Sequence, residues 1–180
     1  MQRYLPRALF TALMTAVIAV CAQIAIPGPV PFTMQTAAVF LAVWLLDGWG
    51  VLSVLLYLLL GLCGLPIFSG FRGGSGVFLS PTGGFLVGFL LTAAVAWGFW
   101  RLGRRRIPAA ILGGIAGMLV CYACGTVWYL FFCTDATVGV IGALATCVFP
   151  FLLPDALKLA LSMIIGMRLR AILRRYHGMS

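Results

Sequence analysis

Two charged residues inside an apolar segment carry the sharpest chemistry in this sequence, Asp155 and Lys158 of "LPDALKLAL". Spaced i, i+3, they share one face of a helix, with Ser162 a further turn along it. A charge near mid-membrane costs about 2.5 to 3.5 kcal/mol on insertion scales, so ionisable residues there are read first as functional. Paired near the end of a helix they cost less, and they offer a solute both an acceptor and a donor. The competing reading is a structural ion pair that pins the last helix to a loop.

Three uncharged polar residues, Gln35, Thr33 and Thr82, stand at the ends of neighbouring apolar runs. Singly each suits a helix cap or an interhelical hydrogen bond. Together with the Asp-Lys pair they can line one pocket. The stretch "FSGFRGGSGVFLSPTGGFLVGF", residues 68–89, is rich in glycine and holds one arginine, Arg72. It lacks the Lys-Ser/Thr end of a phosphate-binding P-loop. Gly73, Gly74, Gly83 and Gly84 suit close backbone approach to a helix or a solute, the alternative being a flexible spacer. The flanking aromatics and the Pro-Thr-Gly-Gly stop favour a packed loop.

Cysteine chemistry is weak here. Cys21, Cys63, Cys121, Cys124, Cys133 and Cys147 all lie in or beside apolar segments, where cysteine behaves as a small hydrophobe. Cys121-x-x-Cys124 falls mid-helix, away from the helix N-terminus a redox pair favours. No second pair or histidine cluster completes a zinc site, so neither metal nor cofactor is expected.

Composition dictates the helices on which these residues are carried. Of 180 residues, 63% are hydrophobic and 8% charged, with a mean hydropathy of +1.15. That is too little charge to dress a water-facing surface. Apolar runs approaching the length that crosses about 30 Å of hydrocarbon recur along the chain. The reading is a single membrane-embedded domain over 1–180, all-α, with the lipid bilayer as a partner.

Six spans are expected. The first, Ala8 to Ile26, is too long for a signal-peptide core and lacks a good cleavage site, so it reads as retained. "PGPVPFTMQ" breaks it with three prolines in five residues. Thr36 to Leu46 and Val51 to Leu65 follow, separated by a tight "DGWG" turn. A fourth span begins at "GGFLVGF", a fifth covers Ala109 to Phe132, and the last covers Asp155 to Ile172. Residues 138–153, interrupted by Pro150 and Pro154, read as a short, partly inserted segment.

Charge orients the bundle. Twelve Lys and Arg face three acidic residues, a net charge of +9. The arginines gather at the ends of apolar runs, which speaks for membrane orientation rather than nucleic acid. With six spans and both termini cytoplasmic, Arg3, Arg7, Arg101, Arg104, Arg105, Arg106, Arg168, Arg170, Arg174 and Arg175 all lie inside. A seventh span would send the C-terminal cluster outside, against the positive-inside rule. Arg72 is then outside, as are the proline break, the Gly-rich loop and the approach to Asp155, while the inner connections look short or merely basic. A site facing outward, capped by ordered loops, follows from that asymmetry.

Two patterns of small residues allow close helix approach in a membrane. Ala8, Ala12 and Ala16 recur every fourth residue on the first helix, and Gly113 and Gly117 do so on the fifth. Each suits either internal packing or a partner-binding face.

Taken together, "VPFTMQT", "YLLLGLCGLPIFSGFRGG", "SPTGGFLVGF" and "LPDALKLAL" resemble, in this order, the characteristic segments of the BioY family. That family supplies the biotin-specific substrate-binding (S) component of energy-coupling-factor (ECF) transporters. The likeness covers nearly the whole chain. Two positions depart from it: Ser80 and Phe85 stand where the family commonly has Gly and Tyr.

The resemblance implies high-affinity biotin uptake through an outward-facing pocket in the bacterial cytoplasmic membrane. It also implies a module of one transmembrane coupling protein (EcfT type) and two ATPases (EcfA type), with Ala8, Ala12 and Ala16 docking the coupling protein. Biotin is a small amphipath with a ureido ring and a carboxylate tail, which an apolar pocket with few polar groups suits. Asp155 would accept from the ureido N–H groups. Lys158 would either pair with the tail carboxylate or donate to the ureido oxygen. Absence of a Walker A motif means the energy must come from partners. The alternatives are an S component for another vitamin, or a biotin carrier working without the module. An enzyme is disfavoured: the lone histidine is His177 on the inner tail, and Asp155 has no evident nucleophile and base beside it. A purely structural subunit would bind no solute.

Overall fold

The computed structural model describes residues 5–132 and 139–177, with the side chains of residues 6–132 and 139–172. Arg3 and Cys133 therefore lie outside the described residues, and of Arg174, Arg175 and His177 only the helical backbone is described.

The chain is an all-α bundle of α1 (Leu5–Gln23), α2 (Gln35–Leu46), α3 (Gly48–Leu62), α4 (Gly83–Leu102), α5 (Ile107–Phe132), α6 (Val140–Cys147) and α7 (Leu152–His177). Six of them correspond to the expected spans, and α6 is the short segment between the fifth and the last. By length and composition α1, α4 and α5 suffice to cross a membrane, and α6 with α7 passes the same test as a pair bent by 42°. The apolar α2 and α3 have 12 and 15 residues, so at 1.5 Å per residue they rise only about 18 and 22 Å.

Boundaries moved for local reasons. Pro108 and Pro154 fall inside the first turns of α5 and α7 rather than ahead of them, because first-turn N–H groups have no intrahelical acceptor to lose. The first helix stops at Gln23. Ala25–Ile26 then pairs antiparallel with Phe32–Thr33, making a small β-hairpin (β1, β2) around the prolines.

The core holds Ile18, Phe40, Trp44, Tyr57 and Phe68, all essentially inaccessible. Large apolar side chains such as Leu52, Leu59, Ile111, Leu119, Leu157 and Ile164 are exposed instead. This inside-out distribution is a lipid-facing surface.

Glycine sets the closest contact. On α5, Gly113 faces the Ala96 carbonyl and Gly117 faces Thr92, whose hydroxyl donates to the Gly117 carbonyl at 2.8 Å. The small-residue pair of the fifth helix thus serves internal packing. Ala8, Ala12 and Ala16 of α1 are exposed.

Asp47 ties one end of the bundle together, a role its place in a tight turn did not suggest. Its carboxylate accepts the Trp97 indole N–H at 2.7 Å and Arg170 at 3.1 Å, and pairs with Arg105 at 2.5 Å. So the inner connections are not merely basic. The α2–α3 turn, the α4–α5 turn and the C-terminal half of α7 meet there, as the charge-derived topology requires.

Candidate functional site

At the opposite end, the hairpin, the Gly-rich loop and the start of α7 converge. Asp155 lies in the first turn of α7, where the helix dipole favours an anion. Lys158 follows on the same face, and its Nζ stands 2.8 Å from Asp155 Oδ1. Each residue is 4% exposed.

A buried pair of this kind is stable only when further hydrogen bonds replace lost hydration. Here Tyr122 of α5 donates to Asp155 Oδ2 at 2.8 Å. Lys158 Nζ also donates to the Thr33 carbonyl at 2.7 Å, and it sits 3.6 Å from the centre of the Phe32 ring. Two of the three ammonium protons are thereby used, and each carboxylate oxygen keeps a lone pair.

The network continues through Thr33. Its hydroxyl donates to Gln35 Oε1 at 3.3 Å, and Gln35 Nε2 donates to the Tyr57 hydroxyl at 2.7 Å. Tyr57 in turn donates to the Ile67 carbonyl at 3.3 Å, at the base of the Gly-rich loop. A line of hydrogen bonds therefore runs from α5 through α7, β2, α2 and α3 into that loop.

Beside this line lie two adjoining compartments. One, of about 420 Å³ with its mouth included, is bounded by Asp155, Lys158, Tyr122, Cys121, Met118 and Phe151. The second, of about 390 Å³ with its open mouth included, is bounded by Gln35, Phe68, Arg72, Thr82 and Leu86. Val30, Pro31, Thr33, Phe85 and Phe89 border both. Mostly apolar walls with a few convergent polar groups are what a small-molecule site requires. Outward, Arg72 and Thr82 also line an open vestibule between the hairpin and the Gly-rich loop.

Of the residues singled out by sequence, Asp155, Lys158, Thr33, Gln35 and Thr82 come together here. Gly73, Gly74, Gly83 and Gly84 do not line the compartments. Gly73 lies against the Gly64 and Leu65 carbonyls, and Gly83 against the backbone of Phe78. Gly84 lies against Trp128 and the Cys124 carbonyl. Gly74 has φ +87 and donates to the Gly61 carbonyl at 2.7 Å. They pack the loop and the α4–α5 crossing that hold the lining residues. The loop is indeed ordered by its neighbours: Phe68 is 1% exposed, and Trp128 Nε1 donates to the Phe78 carbonyl at 3.0 Å.

Tyr122, Tyr57, Phe32 and Gln23 escaped the sequence reading. Tyrosine and phenylalanine in an apolar run look like core, and nothing local marks the one whose hydroxyl meets a carboxylate. Gln23, a lone amide within an apolar run, was the one available signal. At the two departures, Phe85 faces both compartments with no hydroxyl. Ser80 Oγ donates to the Val77 carbonyl at 2.6 Å and lies 3.0 Å from Thr82 Oγ1.

The comparisons with known proteins agree on one family. The sequence model of the BioY family matches residues 3–175. A "Biotin transporter BioY" of Thermotoga maritima is 39% identical over 160 residues, covering 88% of this chain and 92% of that protein. A "Probable biotin transporter BioY" of Pyrococcus horikoshii is 39% identical over 161 residues, with 88% and 93% covered. Among solved structures, the S-component for biotin from an ECF-type ABC transporter superposes with a TM-score of 0.83 at 27% identity. That match covers 94% of this chain and 93% of the other.

Proposed function

The chain belongs to the BioY family, and from that premise we propose that it binds biotin as the S component of an ECF transporter and serves its uptake. Its place is the cytoplasmic membrane of a bacterial cell, as one multi-pass binding domain with no catalytic step of its own. The observation that carries this reading is the buried Asp155–Lys158 pair facing an apolar compartment.

Charge decides how biotin lies. The ureido ring is neutral and offers two N–H donors and one carbonyl, so it suits the deep pair: Asp155 accepts and Lys158 donates. The tail carboxylate is charged, and placing it beside Asp155 would bring two anions together in a desolvated site. It belongs instead at the mouth with Arg72. Arg72 donates through Nε to the Ser69 carbonyl at 3.0 Å, and its terminal nitrogens bond no group among the described residues. A guanidinium facing both compartment and vestibule is suited to a carboxylate. Lys158 is thus assigned the ureido oxygen, and Thr82 the wall of the entry.

The exposed Ala8, Ala12 and Ala16 stripe supplies a face on which the transmembrane coupling protein can lie closely, and two ATPases would complete the module. Titrating the purified chain with biotin, alongside a panel of other vitamins, tests the substrate. Saturable binding of biotin alone is expected. Selective binding of a different vitamin, or none in a folded protein, would overturn the reading. Uptake in cells lacking the module tests its need for partners: uptake there would mark a carrier that works alone.

A further inference from the structure

Gln23, the last residue of α1, holds one turn of the Gly-rich loop by three backbone groups. Its Nε2 donates to the Ile67 carbonyl at 3.1 Å and the Phe68 carbonyl at 3.2 Å. Its Oε1 accepts the Phe71 N–H at 3.1 Å. Only this orientation of the amide satisfies all three, since carbonyls need a donor and an N–H an acceptor. Residues 68–72 form a closed turn. Phe68 N–H donates to the Arg72 carbonyl at 2.9 Å, and Arg72 N–H donates back at 3.2 Å. Gly70 and Phe71 at its apex have φ of +72° and +55°.

Stability alone does not account for this arrangement. Phe71 is 73% exposed, so water can satisfy its N–H without help from a side chain. What three bonds from one rigid helix end do accomplish is to fix where the turn, and therefore Arg72, stands. From the inner side Tyr57 donates to the same Ile67 carbonyl that Gln23 holds. That carbonyl thus registers the turn against the line of bonds leading to Lys158.

We propose that Gln23 is a positioning residue for the carboxylate of the substrate. It pins the 68–72 turn so that the Arg72 guanidinium meets the tail of a ligand whose ring occupies the Asp155–Lys158 end. The inference rests on the biotin reading above and on the place given there to Arg72. Gln23 touches no ligand itself.

The test compares biotin with biotin methyl ester, which keeps the ring and loses the tail charge. The proteins are the full-length wild type, Gln23→Met, Arg72→Gln and the double variant, all in nanodiscs. Methionine keeps the length of glutamine and removes its three hydrogen bonds to the loop, together with the one from Nε2 to the Ala19 carbonyl of its own helix at 3.4 Å. Wild type should prefer biotin over the ester. Q23M should weaken biotin about ten-fold, the scale of one charge-assisted hydrogen bond, and leave the ester within about two-fold, erasing the preference as R72Q does. In the R72Q background Q23M should add almost nothing, since both act through one contact. Should Q23M not fold, Gln23→Asn, shorter by one methylene, should reduce the preference in part. Equal weakening of biotin and ester, unchanged binding of both, or multiplicative losses in the double variant would overturn the inference while leaving the biotin reading intact. A folded wild type that binds neither ligand would overturn both.

Discussion

Replacing Lys158 separates what the buried pair does for the fold from what it does for the ligand. In Lys158→Met, Asp155 stays buried and keeps one partner, the Tyr122 hydroxyl at 2.8 Å. Breaking a buried ion pair from one side typically costs about 3 to 5 kcal/mol, and the surviving Tyr122 bond places this case near 3. In the proposed pose, binding should lose the donor to the ureido oxygen. A hydrogen bond to a charged group contributes about 1.5 to 3 kcal/mol, hence about a ten- to hundred-fold weaker affinity. The double variant Asp155→Leu/Lys158→Met removes both charges from side chains only 6% and 5% exposed. Swapping a buried pair for apolar groups of similar size is often neutral, so stability should return toward wild type. Affinity should not: two lost contacts amount to roughly a hundred- to ten-thousand-fold. Thermal unfolding and calorimetric titration with biotin in the same detergent read both quantities. The reasoning is refuted if the double variant binds biotin like wild type, or if K158M alone is as stable and as tight as wild type.

Gly84→Leu should splay α4 from α5, because even a Cβ there collides with Trp128 and the Cys124 carbonyl. Overpacking of this kind costs about 1 to 3 kcal/mol, seen as a lower unfolding midpoint. Asp47→Asn removes the charge that meets Arg105 and Arg170 while tolerating the φ of +62°. A stability loss of about 2 kcal/mol is expected, with biotin affinity unchanged; a large affinity loss would show that the inner clasp reaches the site. Ala8→Trp with Ala12→Trp on the exposed face of α1 should leave biotin binding intact in the isolated chain. It should abolish co-purification with the coupling protein and uptake in cells. Wild-type assembly in that variant would refute docking at this face.

Much of the architecture was legible because it rests on properties that act locally or add up along the chain. Hydropathy identifies the segments that prefer lipid, arginine placement orients them, and the prolines of "PGPVP" forbid helix wherever that segment lies. Asp155 and Lys158 were conspicuous for the same reason, since a charge in an apolar helix is costly whatever surrounds it. Local reasoning left open whether Gly73, Gly74, Gly83 and Gly84 approach a helix or a solute; Gly73 and Gly83 lie against loop backbone, and Gly84 lies against Trp128 and the Cys124 carbonyl.

Which side chains meet is fixed by packing. Tyr122 reaches Asp155 across 33 residues, Lys158 reaches the Thr33 carbonyl across 125, and Gln23 grips a turn up to 48 residues away. Asp47 joins Arg105 of the α4–α5 turn to Arg170 of α7. No periodicity encodes such encounters, because they arise when independently formed helices pack and leave a few polar groups without water. Each of those groups must find its partner inside the bundle. Composition and charge spacing alone specify an apolar helical bundle with an ion pair in its last helix; packing supplies the groups that surround that pair.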